Sequence, residues 1–288
     1  MALHSARTSI AIMFLVLVVT SSHAAWSQNP DENREVTVNY VYAVQLGIGG
    51  YSVDGLDVKA FSLPLAHTFG LETPKGWKLK AKAPISLGFY DFHATDTDGS
   101  DVSAYQETVS VLPGLELDIP LTEIWSLIPF GDFGIGHGLR AQRRYAYVYS
   151  GGLKNVLTIP WQKYVLSFGN SVTYAGNSTF DGDVSENYFA IRSGFDVRRE
   201  LGFRLPYFPG NIEPDLGIFV IHHFYPKPLV FKRFLSPPLR VENQIEIGFS
   251  VGSSTAFEIF GIQKPRIGAS YIAGDGLSVF RINFGFPI

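Results

Sequence analysis

Cysteine is absent from the 288 residues of the chain. This absence excludes disulfide bonds, thiol catalysis, thiolate metal sites and lipid modification of an N-terminal cysteine. Charged residues are also scarce: they make up 17% of the sequence, against about 25% in an ordinary soluble domain. The formal net charge of −3 leaves no basic surplus for a phosphate backbone, so the composition argues against nucleic-acid binding.

A long apolar run occurs once, at residues 10–19. At about ten residues it is too short to cross a bilayer as a helix, and no later run approaches the roughly 20 residues required. Basic Arg7 precedes it and small residues follow up to Ala24, which is the order of a secretory signal peptide. We therefore predict cleavage of residues 1–24. A short periplasmic segment at 25–35 then precedes the folded part of the chain.

From residue 36 onward, apolar side chains recur at every second position. Between residues 77 and 89 the apolar residues fall on one face, and Lys78, Lys80 and Lys82 fall on the other. A period of two predicts a β-strand with one apolar and one polar face. The segment exceeds the roughly five or six residues of globular strands and matches the ~9 to 11 that cross a bilayer at a tilt.

The same alternation along the whole chain predicts about twelve strands. They cover residues 36–48, 57–70, 77–92, 102–121, 125–139, 145–159, 162–175, 186–199, 213–224, 241–262, 264–273 and 277–288. An even number lets a barrel close with both termini on the periplasmic side. Ten or fourteen strands are alternatives, because 140–152 can be loop or strand. We predict an all-β fold, a transmembrane antiparallel up-and-down β-barrel, over 36–288.

The connections between the predicted strands alternate in character. Polar or glycine-rich loops are expected around 49–56, 93–101, 176–187, 225–240 and 273–276. Tighter connections are expected near 71–76, 122–124, 160–163, 200–211 and 262–265. Long loops at one end and short turns at the other are typical of an outer-membrane barrel.

The polar faces of the predicted strands carry charges of both signs. As lumen-lining residues we predict Lys78, Lys80, Lys82, Arg192, Asp196, Arg198, Glu242, Glu246, Arg266 and Arg281. Barrels of eight strands fill their interior with side chains, whereas those of sixteen to eighteen strands hold an aqueous channel. A barrel of intermediate size is open to two interpretations: ion pairs that plug the bore, or a lysine strip that favours small anions.

The C-terminal string KPRIGASYIAGDGLSVFRINFGFPI and the string GLELDIPLTEIWSLIPFGDFGIG at 114–136 carry a family resemblance. Both resemble the solitary outer-membrane autotransporter-like β-barrels. The resemblance implies a twelve-stranded barrel without a passenger, inserted into the cell outer membrane by the barrel-assembly machinery, in contact with its lipids and lipopolysaccharide. Barrels of this kind usually end in an aromatic assembly signal. The candidates here are Phe284, Phe286 and Ile288, the last of which departs from the pattern.

The predicted function is that of an integral outer-membrane barrel, a narrow pore or a surface-interaction barrel, with no catalysis, cofactor or metal. The alternative is a lipid- or lipopolysaccharide-modifying hydrolase with His222 or His223 as its base. A third interpretation is a soluble secreted β-sandwich. Asp96, Asp98 and Asp101 share a loop but miss the spacing of a calcium loop. The sequence does not determine the oligomeric state.

Overall fold

The structure is a computed structural model. It describes residues 48–53, 56–73, 76–95, 101–139, 145–182, 185–204, 213–233, 236–253, 258–259, 262–263, 266–284 and 286–288. The predicted signal peptide at 1–24, the segment 25–35 and all but the last residue of the predicted strand 36–48 lie outside the described residues.

Every regular element within the described residues is a β-strand. The strands are β1 (Ile48–Val53), β2 (Leu56–Leu63), β3 (Ala66–Gly70), β4 (Lys78–Lys82), β5 (Ile85–Thr95), β6 (Asp101–Val111), β7 (Gly114–Pro120), β8 (Trp125–Gly138), β9 (Tyr145–Trp161), β10 (Tyr164–Thr179), β11 (Ser185–Glu200), β12 (Pro214–Arg233), β13 (Ser236–Ser253), β14 (Glu258–Ile259), β15 (Ile262–Gln263), β16 (Ile267–Gly274) and β17 (Leu277–Asn283). The described residues include no helix long and apolar enough to cross a membrane.

Fifteen of these strands form one antiparallel sheet that closes on itself. The ring runs β1-β2-β5-β6-β8-β9-β10-β11-β12-β13-β16-β17 and returns to β1. Strands β3, β4 and β7 continue β2, β5 and β6, so the wall contains twelve strands. The predicted all-β, antiparallel, twelve-stranded barrel is confirmed.

Three of the twelve wall strands are interrupted by a proline. Pro64 separates β2 from β3, Pro84 separates β4 from β5, and Pro113 separates β6 from β7. Proline has no N–H to give to a ladder, which explains why regular pairing lapses at these points. Cross-strand bonds resume at once: the Ala83 N–H donates to the Leu65 carbonyl at 2.8 Å. Each interrupted pair is therefore one wall strand.

The barrel has two distinguishable ends. The terminal end carries the final residues of the sequence and the connections 71–77, 121–124, 162–163, 201–213 and 254–266. The opposite end carries the connections 54–55, 96–100, 139–144, 180–184, 234–235 and 275–276. The longest connections thus lie at the terminal end, and the predicted asymmetry of loop length is wrong. The main reason is that β12 and β13 run through the predicted loop at 225–240.

Two further predictions about strand bounds are wrong. The predicted strand 241–262 ends at Ser253, and β14 pairs with β15 as a separate two-stranded hairpin. In the sequence, apolar and polar residues keep alternating across the small residues 252–255. Small residues have no large side chain to bury on either face, so the alternation there does not indicate a strand. The last strand ends at Asn283 and does not run to Ile288.

The wall is apolar outside, and many of its inward side chains are polar. Along β13, Ile245, Ile247 and Phe249 are exposed, whereas Gln244 and Glu246 between them are buried. Ile247 is 60% exposed and Glu246 is 0% exposed. This arrangement reverses that of a soluble domain, in which charged residues are almost never fully buried.

Apolar side chains fill the interior towards the opposite end. Val58 and Tyr90 face each other on β2 and β5, and Ile272 and Val279 do so on β16 and β17. The same buried cluster contains Tyr188 on β11 and Tyr225 on β12, whose rings pack edge to face with their centres 6.3 Å apart. Buried polar side chains lie among them: Gln106 is paired with Tyr90, and Asn177 with Val148.

Candidate functional site: barrel interior and outer wall

Glu246 is the centre of a buried network formed by β12, β13, β16 and β17. Its carboxylate accepts hydrogen bonds from Arg281 Nε at 2.9 Å and Arg281 Nη2 at 2.6 Å. It also accepts one from Ser270 Oγ at 2.6 Å, and His223 Nε2 lies 2.9 Å from Oε2. Asn283 Nδ2 donates to Ser270 Oγ at 2.7 Å. Both carboxylate oxygens are therefore saturated, as burial of a charge requires. We call this group the Glu246 network.

A second set of ion pairs lies nearer the terminal end. Arg198 Nε lies 2.9 Å from Asp196 Oδ2, and Arg198 Nη2 donates to Ser167 Oγ at 2.8 Å. Arg266 pairs with Asp215. Asp215 and Ser167 were not among the predicted lumen-lining residues. They follow the same inward phase as Asp196, so the alternation contained the signal for them.

The predicted lysine strip has acidic partners on the neighbouring strands. Lys82 Nζ lies 2.9 Å from both Glu116 Oε1 and Asp132 Oδ1, and Lys154 Nζ lies 3.1 Å from Glu116 Oε1. Lys80 lies 3.7 Å from Glu116 Oε2 and its side chain is 45% exposed. These acids and Lys154 were missed from the sequence, because cross-strand partners depend on register. The strip is a set of ion pairs and not a segregated cationic surface.

The remaining predicted lumen-lining residues differ in placement. Lys78 is exposed at the end of β4, and Arg192 is half-buried on the inward face of β11. Glu242 is exposed, against the prediction that it lines the lumen. The β12–β13 register shifts between Phe224 and Leu229, and Val241 is buried there in place of Glu242.

The final residues fold into the bore. The ring of Phe286 lies 6.1 Å from that of buried Phe219, edge to face. A Cβ built on Gly169 would lie 2.9 Å from Ile288 Cγ2, and one on Gly194 would lie 2.7 Å from Ile288 Cδ1. These glycines are paired across β10 and β11, so they form a recess that receives the last side chain. We call residues 286–288 the final segment.

This placement corrects the prediction that the last strand spans 277–288. Phe286 and Ile288, two of the three assembly-signal candidates, lie against the inner wall. Phe284 is 47% exposed. The physical reason is that β17 stops at Asn283. Beyond that point the backbone is not held by a ladder, and the apolar side chains pack against Phe219.

Several inward polar side chains are almost inaccessible to solvent. Ser86 is 1% exposed, Gln244 is 2% exposed and Ser171 is 3% exposed, although all three are polar. In an aqueous channel such side chains would be wetted. The described part of the bore is therefore filled by its own side chains and the final segment at the levels of these residues.

The outward face carries a row of polar side chains within its apolar surface. Asn155 on β9 faces Asn170 on β10, Asn170 faces Ser193 on β11, and Ser193 faces His222 on β12. His222 Nε2 lies 3.2 Å from Asn243 Oδ1 on β13. Ser193 Oγ donates to Asn170 Oδ1 at 2.8 Å. We call these five residues the polar row. The sequence offered no signal for it, because its members meet only across strands.

The two histidines proposed as a hydrolase base lie on opposite sides of the wall. His223 is 4% exposed and belongs to the Glu246 network. His222 faces outward next to Asn243. A strand alternates its faces at each residue, so neighbours in sequence cannot serve one site.

Neither a metal site among the described residues nor a match to a known protein identifies a function for the barrel. The described residues contain no group of three or more His, Asp or Glu placed to hold a metal ion. Asp96 and Asp98 of the acidic loop lie outside the described residues. No family model matches the chain, and no curated protein is significantly similar to it. The resemblance to autotransporter-like barrels stays a prediction.

Proposed function

We propose that the chain is an integral outer-membrane β-barrel with a closed bore, and that it acts at its lipid-facing wall and its ends. The observation that carries this proposal is the inversion of polarity across the wall. Ile247 is exposed while the adjacent Glu246 is fully buried and ion-paired. Water favours the opposite arrangement, whereas a bilayer favours an apolar outer band around a polar interior.

The height of the outer band agrees with this environment. On β9, outward-facing Tyr149 and Trp161 bracket a surface that includes Leu153 and Ile159. The twelve positions from 149 to 161 span about 30 Å along the membrane normal at ~3.3 Å per residue and a tilt of about 40°. The hydrocarbon core is about 30 Å thick, and Tyr and Trp prefer its two boundaries. In this proposal the terminal end faces the periplasm. Assembly by the barrel-assembly machinery and contact with lipopolysaccharide belong to the same proposal.

We propose a closed bore because its charges are paired and its polar side chains are buried. Lys82 binds two acids, Glu246 accepts both arms of Arg281, and the final segment occupies the space beside Phe219. Unpaired charges in such a space would each cost several kcal/mol. A closed bore disfavours the narrow-pore alternative and directs attention to the outer wall.

The first test is the electrophoretic mobility of the protein extracted from the outer-membrane fraction in detergent. A closed barrel resists SDS until it is heated, so we expect unheated and boiled samples to migrate differently. A protein found in the soluble periplasm, with the same mobility before and after boiling, would contradict membrane insertion.

The substitution Ile247→Lys tests the lipid exposure of the wall directly. In a bilayer, a lysine facing lipid near the midplane costs about 2–4 kcal/mol of stability. In water, the same change at a position that is 60% exposed would stay within about 0.5 kcal/mol. Urea unfolding in lipid vesicles measures the difference, with Ile247→Leu as the matched control. Equal stability of the lysine variant and the wild type would show that this face does not contact lipid.

A further inference from the structure

The polar row is unusual because of what surrounds it. Its middle member, Ser193, lies between Ile191 and Phe195 on the outward face of β11. His222 lies between Val220, 42% exposed, and Phe224, 38% exposed. Polar side chains on a lipid-facing surface are expensive and by default indicate a functional site. The row therefore requires an explanation beyond that of a barrel wall.

Three adjacent members of the row have complementary chemistry. Ser193 supplies a hydroxyl, and His222 supplies an imidazole directly opposite it in the β11–β12 register. Side chains paired in this way have Cβ atoms about 4.5–5.5 Å apart, within reach of a serine–imidazole hydrogen bond. Asn243 Oδ1 lies 3.2 Å from Nε2 of the imidazole and can hold the ring's orientation and tautomer. A nucleophile, a base and an orienting group thus lie side by side.

We propose that Ser193, His222 and Asn243 form an acyl-transfer site on the outer wall, with ester-linked acyl chains of membrane lipids as its substrates. This inference rests on the proposed lipid exposure of the wall. Ser193 is the nucleophile and His222 the general base, while Asn243 is a positioning residue that acts through His222. The structure thus favours His222 over His223 as a base, because His223 is buried in the Glu246 network.

The site lies inside the apolar band of the wall and not at its boundary. On β12 exposed Lys227, which donates to Asn187 at 2.7 Å, interrupts the outward apolar residues between Phe224 and Val230. The five positions from His222 to Lys227 correspond to about 12 Å along the membrane normal at the rise and tilt used above. Acyl esters lie at the boundary between hydrocarbon and headgroups. An ester must therefore descend from the boundary by about this distance before its carbonyl reaches His222 with its acyl chain beside Val220.

The reaction needs no cofactor or oxidant. Ser193 Oγ attacks the ester carbonyl carbon while His222 takes the hydroxyl proton, and a tetrahedral intermediate forms. The bond from that carbon to the lipid alcohol oxygen breaks, and His222 returns the proton to the leaving alkoxide. Water, deprotonated by His222, then attacks the acyl-serine; the bond from the acyl carbon to Ser193 Oγ breaks, His222 returns the proton to Oγ, and a fatty acid leaves.

One rotation separates the structure from the reactive arrangement. Ser193 Oγ donates to Asn170 Oδ1 at 2.8 Å, so its hydroxyl points away from His222. Rotation about χ1 turns Oγ towards the imidazole, and Asn170 holds the hydroxyl until a substrate arrives. Catalytic hydrogen bonds are often long or misaligned in an unliganded enzyme and tighten when the substrate binds.

The experiment measures fatty-acid release by mass spectrometry from the full-length barrel in mixed micelles. One arm contains a diacyl phospholipid, a second contains lipopolysaccharide, and a third contains an ether-linked phospholipid that cannot be hydrolysed. We expect release from one or both ester substrates and none from the ether. Ser193→Ala should lower the rate by at least about 10³-fold, and His222→Ala by about 10²–10⁴-fold.

Two controls separate catalysis from folding. His67→Ala is the matched histidine control, because His67 is exposed on β3 beside Phe69, far from the polar row in the strand order. It should retain full activity. For the positioning role, Asn243→Ala should lower the rate, and Asn243→Asp should restore it, since an acid in that place also orients a histidine. A fluorophosphonate probe should label Ser193 in the wild type and not in His222→Ala.

The outcomes distinguish the site from the barrel. No release and no labelling, in a protein that still shows heat-dependent mobility, overturns the acyl-transfer site and leaves the barrel intact. Loss of the mobility difference overturns the membrane location as well. Activity in Ser193→Ala equal to that of the wild type also overturns the site. The site is also overturned if no fatty acid is released and Ser193→Ala converts a detergent-stable dimer into a monomer. The polar row would then be a contact between two copies of the chain.

Discussion

Replacement of Glu246 by glutamine is expected to lower the free energy of unfolding of the barrel by about 3–5 kcal/mol. The carboxylate is 0% exposed and accepts both arms of Arg281. Its neutral substitute leaves the guanidinium buried without a counter-charge. Leaving one charge buried without its partner destabilises a protein far more than the intact ion pair stabilises it.

The matched control lies four positions away on the same strand. Glu242 is exposed, so Glu242→Gln should change the stability by no more than about 0.5 kcal/mol. Urea unfolding in lipid vesicles, followed by tryptophan fluorescence, compares the two variants. The double variant Glu246→Leu with Arg281→Leu should be more stable than Glu246→Gln, because it removes both charges. Equal stability of Glu246→Gln and Glu242→Gln would contradict a buried network.

Replacement of Phe286 and Ile288 together by serine is expected to release the final segment from the bore. Both residues are half-buried, so their burial contributes roughly 2–3 kcal/mol in total. Because about 1.4 kcal/mol corresponds to a tenfold change in population, the undocked fraction should rise at least about tenfold. The interior near Gly169 and Gly194 would then be open to solvent from the terminal end.

The absence of cysteine makes this change measurable. A single cysteine introduced by Ser171→Cys lies inside the bore, two positions from Gly169, where the native serine is 3% exposed. A membrane-impermeant maleimide should label it slowly in the native background and at least about tenfold faster when the final segment is released. Phe284→Ser is the matched control, because Phe284 is 47% exposed and does not lie in the bore. Equal labelling in all three backgrounds would mean that the final segment does not close the bore.

Much of the wall was predictable because the signal for it is local. The alternation around Lys78, Lys80 and Lys82 requires only neighbouring residues, and it predicted β4 and β5 together with the face that carries the lysines. The same reasoning failed where alternation persists without a ladder. Phe286 and Ile288 keep the outward phase in sequence, but no partner strand holds them, and they pack inward against Phe219.

The candidate sites were less predictable because they depend on register. Lys82 was recognised as inward-facing, yet its partners Glu116 and Asp132 lie on β7 and β8 and could not be matched to it from spacing. His222 was recognised as a possible base, but nothing near it in sequence indicated Ser193 or Asn243. Those residues reach His222 only through the pairing of β11, β12 and β13.

By itself, the sequence determined the strand type and which face of most strands is apolar, and it narrowed the number of wall strands to ten, twelve or fourteen. These properties follow from a period of two, which each strand expresses on its own. Only the tertiary structure decided which charges pair with Glu246, where Phe286 and Ile288 lie, and that Ser193 is paired with His222 in the β11–β12 register. The physical reason is that closure of the sheet sets one register among many, and each of these contacts joins residues far apart in the chain.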